Sequence, residues 1–192
     1  MCFVETNVPW HKNDFHYDIS VANKNIWDTP TKTVVASCRS EIKGSKHYLP
    51  GGGMTVAANS LTTKIQSTSS DYLGRWAKVR FFAKKGALAV YSVYRPNPSS
   101  LSTACVNSSW MQQYRFLSKS DKTVDPRQQL ISDLIKDVNL EQNMNSKMII
   151  LGDFNEDISD NETSGIKDLM EKNRTSTNFP RIENNNSKYQ RK

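Results

Sequence analysis

Cysteine is scarce in this chain of 192 residues: Cys2, Cys38 and Cys105 are odd in number, far apart and without partners at zinc-site spacing. Neither a disulfide framework nor a structural zinc site is expected, which points to a reducing compartment. Long hydrophobic runs are missing too. No apolar stretch approaches the roughly 18 residues that a bilayer span needs, and Glu5 falls where a secretory leader would carry its apolar segment. The expectation is a soluble, intracellular protein, cytoplasmic or nuclear, without a membrane partner. Histidine is limited to His11, His16 and His47, which have no ligand spacing and read as surface or loop residues. No internal repeat is visible.

What is present fits one domain. The 36% hydrophobic content can fill a core of moderate size, and 26 Lys and Arg against 19 Asp and Glu leave a net charge of +7. That excess favours a polyanionic partner, although many ordinary basic proteins share it. Short β-rich runs fall at residues 2–5, 33–37, 54–58, 76–83, 87–94 and 147–151, separated by Gly, Pro and polar clusters. In the fourth run Ala77, Val79 and Phe81 alternate with Trp76, Lys78 and Arg80, predicting one face on a core and the other toward solvent or ligand. Lys84-Lys85-Gly86 reads as a hairpin turn, and the nearly continuous apolar run after it reads as a central strand covered on both faces.

The clearest helix starts at Asp125-Pro126, where a carboxylate can cap free N–H groups and Pro occupies the first helical position. Leu130, Ile131, Leu134, Ile135 and Val138 form its apolar stripe. Weaker patterns predict helices at 109–118, 164–172 and 11–25, and a polar tail from residue 173 to 192. Strands interspersed with helices indicate a mixed α/β domain.

The segment richest in chemistry is Lys147-Met-Ile-Ile-Leu-Gly-Asp-Phe-Asn-Glu156. It reads as a buried strand that breaks at Gly152 and presents Asp153 and Asn155 at its carboxyl end, where ligands bind in open α/β sheets. Gly-Asp-x-Asn is equally good turn chemistry. Three further segments stand before it: Val4-Glu5-Thr6-Asn7, Tyr48-Leu-Pro-Gly-Gly-Gly-Met-Thr-Val56, and Tyr94-Arg-Pro-Asn97, with Asp71-Tyr-Leu-Gly-Arg-Trp76 between the last two.

In this order the segments resemble the endonuclease/exonuclease/phosphatase family, which includes abasic-site endonucleases and the nuclease domains of non-LTR retroelements. The resemblance covers about residues 1–172. It implies an incomplete four-layer α/β sandwich, two mostly antiparallel sheets flanked by helices, and a divalent-metal-dependent phosphodiester hydrolase. By resemblance Glu5 is the metal-binding acid, with Mg²⁺ the expected ion and Mn²⁺ a substitute. Tyr94 matches the tyrosine beside the scissile phosphate, and Asp153 and Asn155 match the pair that orients water and phosphate. Nucleic acid, with DNA favoured, is the implied substrate. Arg75, Lys78, Arg80 and Arg95 are the cations expected to meet its backbone, a solvated basic face being the alternative for the run around the strand. Glu5 as an exposed strand-end acid and Tyr94 as a core residue are the plainer alternatives.

Two features of the family pattern have no counterpart. An Asn on a strand before the acid is missing, and no Ser-Asp-His segment follows Asp153. The expectation is a piece of a longer polyprotein with impaired or no activity alone, the alternative being a catalytically silent nucleic-acid-binding remnant.

Overall fold

The computed structural model describes residues 1–38, 48–156 and 165–174. In chain order these form β1 (Cys2–Val4), α1 (Asn13–Ile26), β2 (Thr31–Ala36), β3 (Gly53–Ala58), a 3-10 turn (Asn59–Lys64), β4 (Ile65–Ser70), β5 (Trp76–Phe82), β6 (Ala87–Tyr94), α2 (Ser109–Leu117), α3 (Pro126–Asn143), β7 (Ser146–Asp153) and α4 (Gly165–Arg174). The fold is mixed α/β with two sheets. One is antiparallel in the order β1-β3-β2; the other runs β4-β5-β6-β7, with β6 and β7 parallel and the remaining pairs antiparallel. The parallel pair needs a long crossover, and the segment carrying α2 and α3 supplies it.

Strand alternation decides what each face buries. Val34, Ala36 and Ala57 of the first sheet meet Ala77, Val79 and Phe81 of the second, so small residues let the sheets approach. On the far side of the first sheet, Phe15 and Ile19 of α1 pack on Trp10, Met54, Val56 and Val35. On the far side of the second, Leu130, Ile131, Leu134 and Val138 of α3 cover Trp76, Ala89, Tyr91 and Val93. Leu130 and Leu134 are fully buried, each favouring the folded state by about 1.5–3 kcal/mol relative to exposure. The Asp125 side chain accepts from Arg127 N–H at 3.0 Å, and Pro126 opens the helix as its sequence predicts.

Three expectations change. The outward face of β5 meets α3 rather than solvent. Asp133, Asp137 and Glu141 recur every four residues along α3, on one side of the helix. Arg75, just before β5, reaches Asp133 at 3.0 Å, Lys78 reaches Asp137 at 2.7 Å and Glu141 at 3.1 Å, and Arg80 reaches Glu141 at 3.0 Å. An acidic stripe on the helix thus neutralises a basic stripe on the sheet.

Among the described residues β7 is the edge of its sheet, not a buried strand, and it continues through Gly152 to Asp153. Met148 and Ile150 pack toward α3, while Ile149 and Leu151 on the opposite face are 44% and 49% exposed. An apolar run has the same composition whether its second face is covered or open. β4 was not anticipated, because Ile65 is the single apolar residue in Ile65–Ser70 and pairing with β5 is what makes it a strand. At the other end of the chain, α4 runs on to Arg174, and the rest of the expected tail, with His47, lies outside the described residues.

Candidate functional site

The β6–β7 register sets Tyr94 directly beside Asp153. The pairing is close: a Cβ added to Gly152 would lie 2.0 Å from the Val93 carbonyl oxygen. Gly152 therefore serves the approach of two strands that both end at the site. Across the sandwich, Ser92 Oγ donates to the Phe3 carbonyl at 2.8 Å and lays the end of β1 over β6. Glu5 follows directly, and the Tyr94 hydroxyl donates to its Oε1 at 3.4 Å, a long bond. Two acids 148 positions apart in sequence (153 − 5) thus act on one phenol, since both carboxylates exert their charge on Tyr94.

Tyr94 is 3% exposed. Burial is the main cause that raises its pKa above the ordinary value; the charges of Glu5 and Asp153 add to it, and a hydrogen bond from Ser109 opposes it. The hydroxyl is therefore a proton donor at neutral pH. Ser109 opens α2, whose N-cap is Ser108 with its side chain accepting from Met111 N–H at 3.2 Å.

The glycine run shapes the wall behind Glu5. Asn7 N–H donates to the Gly51 carbonyl at 2.8 Å, Gly51 N–H donates to Asn7 Oδ1 at 2.9 Å, and Leu49 N–H donates to the Asn7 carbonyl at 3.0 Å. Gly51 has φ +85°, and a Cβ there would meet Tyr94 Cε1 at 3.1 Å. Glu5 and Asn7 also have left-handed backbones, φ +53° and +56°. Each such residue costs roughly 1–3 kcal/mol, and strain of this kind concentrates at functional sites.

The loop after β7 is tied to the loop after β6. Arg95 N–H donates to the Asp153 carbonyl at 2.9 Å, Asn155 N–H donates to Asp153 Oδ1 at 2.9 Å, and Asn155 Nδ2 donates to the Arg95 carbonyl at 2.7 Å. The amide expected to meet phosphate is thus engaged within the loops. The Arg95 guanidinium pairs with Glu156, whose two oxygens accept from Gly165 N–H at 2.9 Å and Ile166 N–H at 3.0 Å at the start of α4. Arg127 donates to the Pro96 carbonyl and, at 3.0 Å, to that of Asn155.

The structure brings Glu5, Tyr94, Asp153 and Asn155 to one place. Arg75, Lys78, Arg80 and Arg95, the cations expected to meet a nucleic-acid backbone, each have an acidic partner within the fold. Arg75 is 2% exposed and held by Asp71 at 2.8 Å as well as by Asp133, and burial lowers the pKa of Arg95, with Glu156 opposing. A stripe of cations on a strand cannot be told from a phosphate track until the helix that covers it is known. Sequence reasoning passed over Ser109, Arg127 and Glu156. Arg127 stood beside the Asp125-Pro126 start and Glu156 beside the Gly-Asp-x-Asn loop, which are weak signals without contacts.

Glu5 is exposed and Asp153 partly so, which leaves two hard oxygen donors open to solvent. Among the described residues no three His, Cys, Asp or Glu side chains are grouped to hold a metal ion. A pair of carboxylates suits a cation that keeps several waters, as Mg²⁺ does, better than one needing a full protein cage. No protein-family model matches the chain, and no curated protein matches it. No described helix is long and apolar enough to cross a membrane.

Proposed function

We propose that the chain is a divalent-metal-dependent phosphodiester hydrolase domain of the endonuclease/exonuclease/phosphatase type, with nucleic acid as substrate and DNA favoured. The observation that carries this reading is the place of Tyr94 between two acids, its hydroxyl donating to Glu5 and its backbone in register with Asp153 on the neighbouring strand. A phosphodiester repels an incoming nucleophile, and Mg²⁺ or Mn²⁺ when bound would neutralise charge on the phosphoryl group. Glu5 would hold that ion. Asp153 orients the attacking water and takes its proton as the water oxygen bonds to phosphorus. The opposite P–O bond breaks and the leaving oxygen takes a proton from solvent, while Tyr94, kept protonated by burial, donates to the developing negative charge on the phosphoryl group. Asn155 acts by fixing Asp153 through its backbone N–H. With the four inner cations paired, affinity for nucleic acid rests on the remaining charge of a chain carrying +7.

A second reading has its own observation. The Asn155 amide and the Arg95 guanidinium are spent on internal partners, so fewer donors remain for a transition state. That favours a catalytically silent nucleic-acid-binding remnant. Mg²⁺-dependent nicking of supercoiled plasmid separates the two, run beside Asp153→Ala and Glu5→Gln. Nicking that both substitutions abolish supports the hydrolase; nicking unaffected by Asp153→Ala overturns it; DNA binding without nicking selects the second reading.

A further inference from the structure

The ties between the exits of β6 and β7 converge on one buried cation. Arg127 sits in the first turn of α3, 7% exposed. Its guanidinium takes one carbonyl from each loop, that of Pro96 after β6 and that of Asn155 after β7. Burial, then the nearby charge of Arg95, pushes its pKa down to about 10, so the cation persists at neutral pH. A desolvated guanidinium is expensive to hold, and both of these acceptors are backbone oxygens rather than an acid.

The consequence reaches Asp153 through the chain. Asn155 adopts φ +47°, a left-handed backbone that Asn tolerates better than most side-chain-bearing residues, and its Nδ2 donates to the Arg95 carbonyl at 2.7 Å. Arg127 holds its carbonyl, and its N–H is then directed at Asp153 Oδ1, 2.9 Å away. A planar fork spans two carbonyls at once; a lysine ammonium is a point charge on a flexible stem and does not reproduce that bridge.

We propose that Arg127 is a positioning residue: by bridging the Pro96 and Asn155 carbonyls from the first turn of α3, it fixes the loop that holds the Asp153 carboxylate beside Tyr94. Its catalytic consequence rests on the hydrolase reading, whereas its effect on the loop does not.

The test compares the full chain with Arg127→Lys and Arg127→Ala by amide hydrogen exchange and by kcat and KM for Mg²⁺-dependent plasmid nicking. The Arg95 and Asn155 amides report the loop, and those of Val79 and Tyr91 report the core strands. In Arg127→Lys the loop amides exchange about tenfold faster or more while the core amides do not change. Nicking falls on the order of a hundredfold in kcat with little change in KM, and added methylguanidinium restores part of it to Arg127→Ala. Loop exchange at the wild-type rate in a folded Arg127→Lys protein overturns the proposal, as does equal acceleration in the core. Should Arg127→Ala fail to fold, Arg127→Lys decides alone. If the wild-type chain does not nick DNA yet the loop amides respond as described, the hydrolase reading falls and the positioning inference stands.

Discussion

Tyr94 and Glu5 join the two sheets at their ends, the phenol of β6 donating to the carboxylate that follows β1 at 3.4 Å. The chemistry of this contact sets the first expectation. Tyr94→Phe keeps the ring that packs against Gly51 and removes the donor. On the hydrolase reading, nicking falls by roughly a hundredfold to a thousandfold, the range for loss of one donor to a developing oxyanion. Thermal unfolding and plasmid nicking measured on the same preparation check it: a large loss of activity with little loss of stability is the expected pair.

Gly51→Ala should harm the fold and the site together. At φ +85° an alanine is strained, and its Cβ would press on Tyr94 at 3.1 Å. The expected cost is about 1–3 kcal/mol in urea unfolding. Gly86→Ala is an informative control. It has φ +92° in the turn between β5 and β6, at the opposite end of β6, so it should lose stability and keep the tyrosine environment intact.

Glu141 holds both Lys78 and Arg80 while its side chain is 2% exposed. Glu141→Ala leaves two cations beneath α3 without that partner, and removing one member of a buried pair costs about 3–5 kcal/mol. Denaturant unfolding should register this loss. Conversely, on the nucleic-acid reading Lys78→Met should leave the salt dependence of DNA binding unchanged, because its charge is spent on Asp137 and Glu141. A shallower salt slope in Lys78→Met would return that residue to the nucleic-acid surface.

Tyr91 and Tyr94 should ionise at higher pH than an ordinary tyrosine in an alkaline titration of the folded protein. Burial raises both above the ordinary value of 10.0, and for Tyr91 the hydrogen bond to Asp137 reinforces it. A raised folded pKa means stability that is fully present below about pH 10 and lost as the pH climbs beyond it. Arg127, held down to about 10, acts in the opposite sense over the same alkaline range. Phenolate absorbance, compared between the wild type, Tyr91→Phe and Tyr94→Phe, gives the direct measure. Early titration of Tyr94 would show that the site admits water more freely than its burial implies.

Most of the elements and several of their ends are legible in local stretches of the chain. The 3.6-residue stripe from Leu130 to Val138 and the Asp125-Pro126 start predict α3, and the alternation in β5 identifies its inner face, because periodicity and caps are local properties of the chain. Gly51 and Gly52, at φ +85° and +84°, and the Gly-Asp-x-Asn segment are also conspicuous in the sequence, although Gly53 and Gly152 lie within strands. What occupies the outer face of β5 was not local. Lys78 and Arg80 look the same before a phosphate chain and before Glu141, and only the crossover that lays α3 over the sheet selects the acid. The same holds for Glu5, Tyr94 and Asp153. Their side-chain types are legible one by one, but their meeting depends on β1 crossing β6 and on a parallel register between β6 and β7, contacts between segments remote in the chain that no short stretch of residues encodes.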